Sequence, residues 1–242
     1  MVEEFTAAAS SDGRLECLDW VLFHQALFEI HQLAVIAEEI LKPPIPADWI
    51  SRIQAVVSGH PLPQLESDRT HARNIQFELY VAACCRRAGY VIEPKEPDIL
   101  VHAQSGNFGI AAKRPKSAKS LERHIRKGSR QIQESTAEGI LALDLTVIHN
   151  PKNQIQVIST KENATETVQR VADLFVERNR RRICCMVTQP NIFGLLVCMS
   201  GLFFIRTTLQ FAQATRWTFT NLCDQSHTRY WQLRDMAIKF AE

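Results

Sequence analysis

From Leu15 to Leu41 the apolar residues Leu18, Leu22, Phe23, Ala26, Ile30, Leu33, Ala34 and Ala37 recur at helical spacing, which predicts an amphipathic helix. Lys42-Pro43-Pro44-Ile45-Pro46 stops it. A shorter helix is predicted over Ala47–Ser58, with Trp49, Ile50, Ile53 and Val57 on one side. Gly59-His60-Pro61-Leu62-Pro63 then reads as a linker. Residues 1–65 are therefore expected to form an N-terminal helical region, and 66–242 the main domain. Packing, dimerisation and partner binding are all open roles for the helical region.

The pattern then changes. Thr70–Ala88 is apolar on nearly every side (Ile75, Phe77, Leu79, Tyr80, Val81, Ala82, Ala83), as a buried helix is, and Gly89 is placed to end it. Three short strands are predicted at Tyr90–Ile92, Asp98–Ala103 and Phe108–Lys113, the last two joined through Ser105-Gly106-Asn107. Ser117 or Ser120 can cap a helix running to about Glu134, whose inner stripe is Leu121, Ile125, Gly128 and Ile132. Gly139–His149 reads as one strongly apolar strand and Thr165–Arg182 as a helix. Phe193–Ile205 reads as two strands turning at Ser200-Gly201, and the remaining tail as helical. The order α-β-β-β-α-β followed by further elements predicts an α/β fold, a mixed sheet with helices on both faces.

Composition adds little until its distribution is considered. The 242 residues are 45% hydrophobic and 22% charged with a formal net charge of +2, which describes an ordinary globular chain with a sizeable core. Between Lys113 and Arg130, however, eight Lys or Arg face one acid, Glu122. So lopsided a run fits phosphate binding better than a balanced solvated face, and Arg114, Lys116, Ser117, Lys119, Arg123, Lys127 and Arg130 are the candidate nucleic-acid contacts. The seven cysteines are odd in number and contain no CxxC pair, which argues for reduced thiols. The doublets Cys84-Cys85 and Cys184-Cys185 are expected to be buried packing residues. No stretch resembles a membrane span, and the start of the chain, with Glu3 and Glu4, lacks the basic end of a targeting peptide, so a cytoplasmic setting is expected.

Four polar positions fall where this layout brings them together. Glu78 sits inside an otherwise apolar helix, where a carboxylate is costly unless a cation meets it; Arg73, Arg86 and Lys113 are the candidate partners. Asp98 opens the second strand. Lys113 ends the third, two residues after Ala111, so both point to one face. Gln131 lies on the following helix, one turn from Lys127 and two from His124. The segments Phe77-Glu78-Leu79, Pro97-Asp98-Ile99 and Ile110-Ala111-Ala112-Lys113-Arg114-Pro115 resemble the PD-(D/E)xK nucleases of the restriction-endonuclease-like fold, over residues 70–150.

That resemblance implies a Mg²⁺-dependent (or Mn²⁺-dependent) DNA endonuclease, with a role in antiviral defence against foreign DNA. Asp98 would be the main metal ligand and Glu78 an accessory acid; Lys113 would orient the attacking water and Gln131 would position strand or water. A hard oxygen-ligated cation polarises the phosphate and lowers the pKa of its bound water. The family's second acid falls on Ala111, whose methyl group ligates nothing. The chain is thus expected to be inactive or weakly active, either as a natural pseudo-nuclease or as an enzyme disarmed by substitution. The competing readings are a dead nuclease core that binds DNA and a regulatory protein acting through its N-terminal helices.

Overall fold

The computed structural model describes residues 20–43, 45–59, 71–136, 138–150, 154–187, 191–222 and 227–241. Its elements are α1 (Trp20–Ile40), α2 (Ala47–Val57), α3 (His71–Arg87), β1 (Val91–Glu93), β2 (Ile99–His102), β3 (Phe108–Lys113), α4 (Ala118–Ser135) and β4 (Gly139–Asp144). There follow α5 (Thr146–His149), β5 (Gln156–Ile158), α6 (Lys161–Met186), β6 (Ile192–Ile205), β7 (Gln210–Asn221) and α7 (Thr228–Ala241). Of the predicted linker only Gly59 lies within the described residues.

Seven strands form one mixed sheet. β1, β2 and β3 are an antiparallel meander, and α4 carries the chain over so that β4 runs parallel to β3. One edge of β6 takes β4 and then β5, both parallel to it, while β7 covers the other edge antiparallel over its whole length. The central strands are buried on both faces and alternate between two cores, as strand geometry requires. Ile110, Ala112, Ile140 and Ala142 face the core shared with α3, where Phe77, Val81 and Leu233 pack. Ala111, Leu141 and Leu143 face α4 and α6, against Leu121, Ile125, Val168 and Ala172. Helices therefore flank the sheet on both sides. Val35, Ile36 and Ile40 of α1 and Trp49 of α2 belong to the α3 core, so the N-terminal helices pack directly on the helix that carries Glu78.

Local signals account for most boundaries. Gly89 takes a φ of 83° and its N–H reaches the Arg86 carbonyl, closing α3. Ser117 caps α4, exchanging side-chain and backbone hydrogen bonds with Ser120 in a capping box. Gly139 is pinned between β3 and α4. A Cβ there would lie 2.6 Å from the Gly109 carbonyl oxygen and 2.7 Å from Ile132 Cγ2. Backbone cannot yield as a side-chain tip can, so Gly139→Ala is expected to destabilise by about 2–3 kcal/mol in urea unfolding.

Four expectations are corrected. Residues 192–205 are one fourteen-residue strand rather than a hairpin; the chain turns at Arg206–Leu209, and β7, not helix, follows. Gly201 lies in mid-strand with Phe203 ring atoms 3.0 Å from where its Cβ would be, so it serves close packing rather than a turn. The strand predicted over 139–149 ends at Asp144, whose Oδ1 accepts the Thr146 N–H and starts the short α5. Cys184 and Cys185 are exposed near the end of α6, whereas Cys85 is buried and Cys84 half-buried.

Candidate active site

Strand register sets the site. Ile99 pairs with Ile110 in the β2–β3 ladder, and one step outward places Asp98 opposite Ala111. Directly opposed residues on antiparallel strands carry neighbouring side chains. Lys113 returns to the same face two residues on. Its Nζ lies 2.5 Å from Asp98 Oδ2, which also accepts the Ala112 N–H at 2.8 Å. Both side chains are buried, so the ion pair is enclosed by protein. Burial raises the Asp98 carboxyl above its usual range, against the opposing pull of Lys113 and the Ala112 N–H.

Glu78 reaches the same region from α3. Its cation is Arg52 of α2, at 2.9 Å, rather than Arg73, Arg86 or Lys113. Burial and then the Asp98 carboxylate outweigh the Arg52 and Lys113 charges and push Glu78 up to about 7. Glu96 adds further negative potential at both acids. Gln131 bends in from α4, its Nε2 donating to the Pro97 carbonyl at 3.3 Å; its Oε1 is buried with no hydrogen-bond partner among the described residues. His124, half-buried on the same helix, is lowered by burial and then by Arg123, Lys113 and Lys127. Sequence reasoning assigned His124 no role, and nothing in its spacing marked it.

Ala111 itself is sealed. It has no exposed surface, and α4 crosses it at Gly128, where an added Cβ would stand 3.4 Å from the Ala111 methyl and 3.5 Å from Lys113 Cγ. What the missing side chain of Gly128 makes room for is Leu141 of β4, whose Cδ1 would lie 2.4 Å from an added Cβ.

These donors fit a firmly held Mg²⁺ poorly. Asp98 is engaged by an ammonium, Glu78 by a guanidinium, and position 111 offers no oxygen. Among the described residues no group of three or more His, Cys, Asp or Glu side chains is placed to hold a metal ion.

The predicted nucleic-acid residues divide. Lys116, Ser117, Lys119, Arg123, Lys127 and Arg130 are exposed on α4 and its approach. Arg114 is not. Its Nε lies 3.1 Å from Asp144 Oδ2 and its Nη2 lies 3.6 Å from Glu29 Oε1, inside a buried network that Arg73, Gln76 and Gln32 complete. That network ties α1 to the ends of β3 and β4, and it escaped sequence reading because its members lie far apart along the chain. Among the described residues no helix is long and apolar enough to cross a membrane.

In comparisons with protein-family models, with curated proteins and with solved structures, nothing matches this chain.

Proposed function

We propose that this chain is built on the restriction-endonuclease-like core of a PD-(D/E)xK nuclease acting on DNA, and that its own Mg²⁺- or Mn²⁺-dependent cleavage is disabled at Ala111. The observation that carries this reading is the cross-strand placement of Asp98 opposite Ala111, with Lys113 closing on Asp98. An acid at 111 would stand beside Asp98, the arrangement two carboxylates need to share a divalent cation with water and phosphate oxygens. The meander, the α4 crossover and the parallel β4 support it, as does Glu78, because carboxyl groups shifted by burial and by each other gather at functional sites.

The lack of a carboxylate at buried position 111, beside the exposed cations of α4, favours binding over cleavage as the present activity. Lys113 neutralises Asp98, so the pair keeps one cation and no full set of ligands. The chain then grips the polymer without supplying the activated water that hydrolysis requires.

Restoring the acid tests this. Ala111→Glu and the shorter Ala111→Asp are expected to nick supercoiled plasmid with Mg²⁺ or Mn²⁺, and Lys113→Ala added to either is expected to abolish nicking. Folded Ala111→Asp protein that binds DNA yet leaves plasmid intact with both metals would overturn the nuclease ancestry of the site.

A further inference from the structure

We infer that the outer face of α4 is a docking track for the sugar–phosphate backbone of duplex DNA, carried by Lys119, Arg123, Lys127 and Arg130 and not by Arg126. The inference rests on the proposed function for the identity of the polymer; the charge pattern stands without it. Steps of four, four and three residues put the four cations on one helix face. The row is about 16 Å long at the usual helical rise. With Glu122 and Arg126 these side chains line a shallow open groove.

The cations are not equivalent. Arg126 is the most firmly held, donating through both Nε and Nη2 to Glu122 Oε1 at 3.2 and 2.9 Å in a pair less exposed than that of Arg130. Arg130 has an acid, Glu134, at 3.8 Å, but both side chains are about two-thirds exposed, and such a pair exchanges readily for a phosphate. Lys119, Arg123 and Lys127 form no ion pair among the described residues, which leaves four cations facing solvent and the one acid of the groove consumed internally.

Duplex is the polymer that fits. Double-stranded DNA carries a phosphate charge about every 1.7 Å along its axis, dense enough to meet four cations along one rigid rod. Single strands are gripped by aromatic side chains on which bases stack, and among the described residues no aromatic side chain lines this groove. The track lies on the helix whose inner face, at Gly128, covers Ala111 and Lys113. His124, on the flank of α4, feels the charges of Arg123 and Lys127 from the track and of Lys113 from the site.

The test is equilibrium binding to a mixed-sequence duplex of about 30 base pairs, followed by fluorescence anisotropy in EDTA so that cleavage plays no part. Four released counterions give a salt slope near −3.6, so affinity is expected to fall about 150-fold between about 50 and 200 mM salt. Each of Lys119→Ala, Arg123→Ala, Lys127→Ala and Arg130→Ala should reduce the slope by about 0.9, and the fourfold variant should leave almost none. Arg126→Ala should keep the wild-type slope. All five side chains are exposed, and circular dichroism checks that the variants remain folded. An unchanged slope in the fourfold variant, an Arg126→Ala loss equal to the others, equal affinity for a single strand of the same length, or preference for duplex RNA would each overturn the proposal. Because no metal is present, silent Ala111→Asp protein with an intact slope would sink the nuclease reading alone. Cleavage unaffected by the fourfold variant would sink the track alone.

Discussion

Replacing Asp98 with alanine is expected to destabilise the protein by about 3–5 kcal/mol, because it strands the Lys113 ammonium inside the fold. The two side chains meet at 2.5 Å and both are buried, so neither can turn to water when its partner is removed. The Ala112 N–H loses its acceptor in the same step, and an unsatisfied buried donor adds to the penalty. Lys113→Ala should cost a similar amount, now through an unpaired carboxylate that burial already pushes toward its neutral form. The double variant Asp98→Leu/Lys113→Met should be less destabilised than either single one, since it removes both charges and keeps comparable volume. Urea midpoints of the four proteins give the coupling directly. Single-variant losses below about 1 kcal/mol would mean that the pair is open to solvent and too weak to define a site.

The parts of this site that sequence made legible are those where local chemistry and long-range packing ask for the same thing. α3 reads as buried because it is apolar on all sides, and its core contacts demand that. Ser117 marks the start of α4 because the cap is a local hydrogen bond. β3 reads correctly because both cores need its alternating residues. Where the two demands separate, the reading fails. Gly201 carries a turn signal but is glycine to admit the Phe203 ring, while the turn at Arg206-Thr207-Thr208-Leu209 contains no Gly or Pro and puts Leu209 at a φ of 54°. Arg114 reads as one more cation of a basic run, yet it points into the fold because Asp144 and Glu29, 30 and 85 positions away, are folded against it. Arg52 could not be matched to Glu78 for the same reason: the pairing exists only once α2 has packed on α3.

That dependence on α2 gives Glu78 a measurable signature. Its carboxyl rises from an ordinary value of 4.5 to about 7 in the folded protein. At pH below about 4.5 both the folded and unfolded chains hold the proton, and Glu78 does not oppose folding. Between the two values the unfolded chain releases its proton while the folded chain retains it, so stability falls as pH rises through this window. Above about 7 the loss is complete, amounting to about 3 kcal/mol. Glu78→Gln keeps the shape and the acceptor facing Arg52 but cannot ionise. It is expected to match wild type near pH 4 and to exceed it by about 3 kcal/mol near pH 8, read as the pH dependence of the urea midpoint. An identical pH dependence in both proteins would show that Glu78 titrates alike in the folded and unfolded chains, and a relative gain of wild type with rising pH would show that Arg52 holds it ionised. The expected result would instead mark Glu78 as a carboxyl kept beside Asp98 at a stability cost that the Arg52 guanidinium at 2.9 Å only partly offsets.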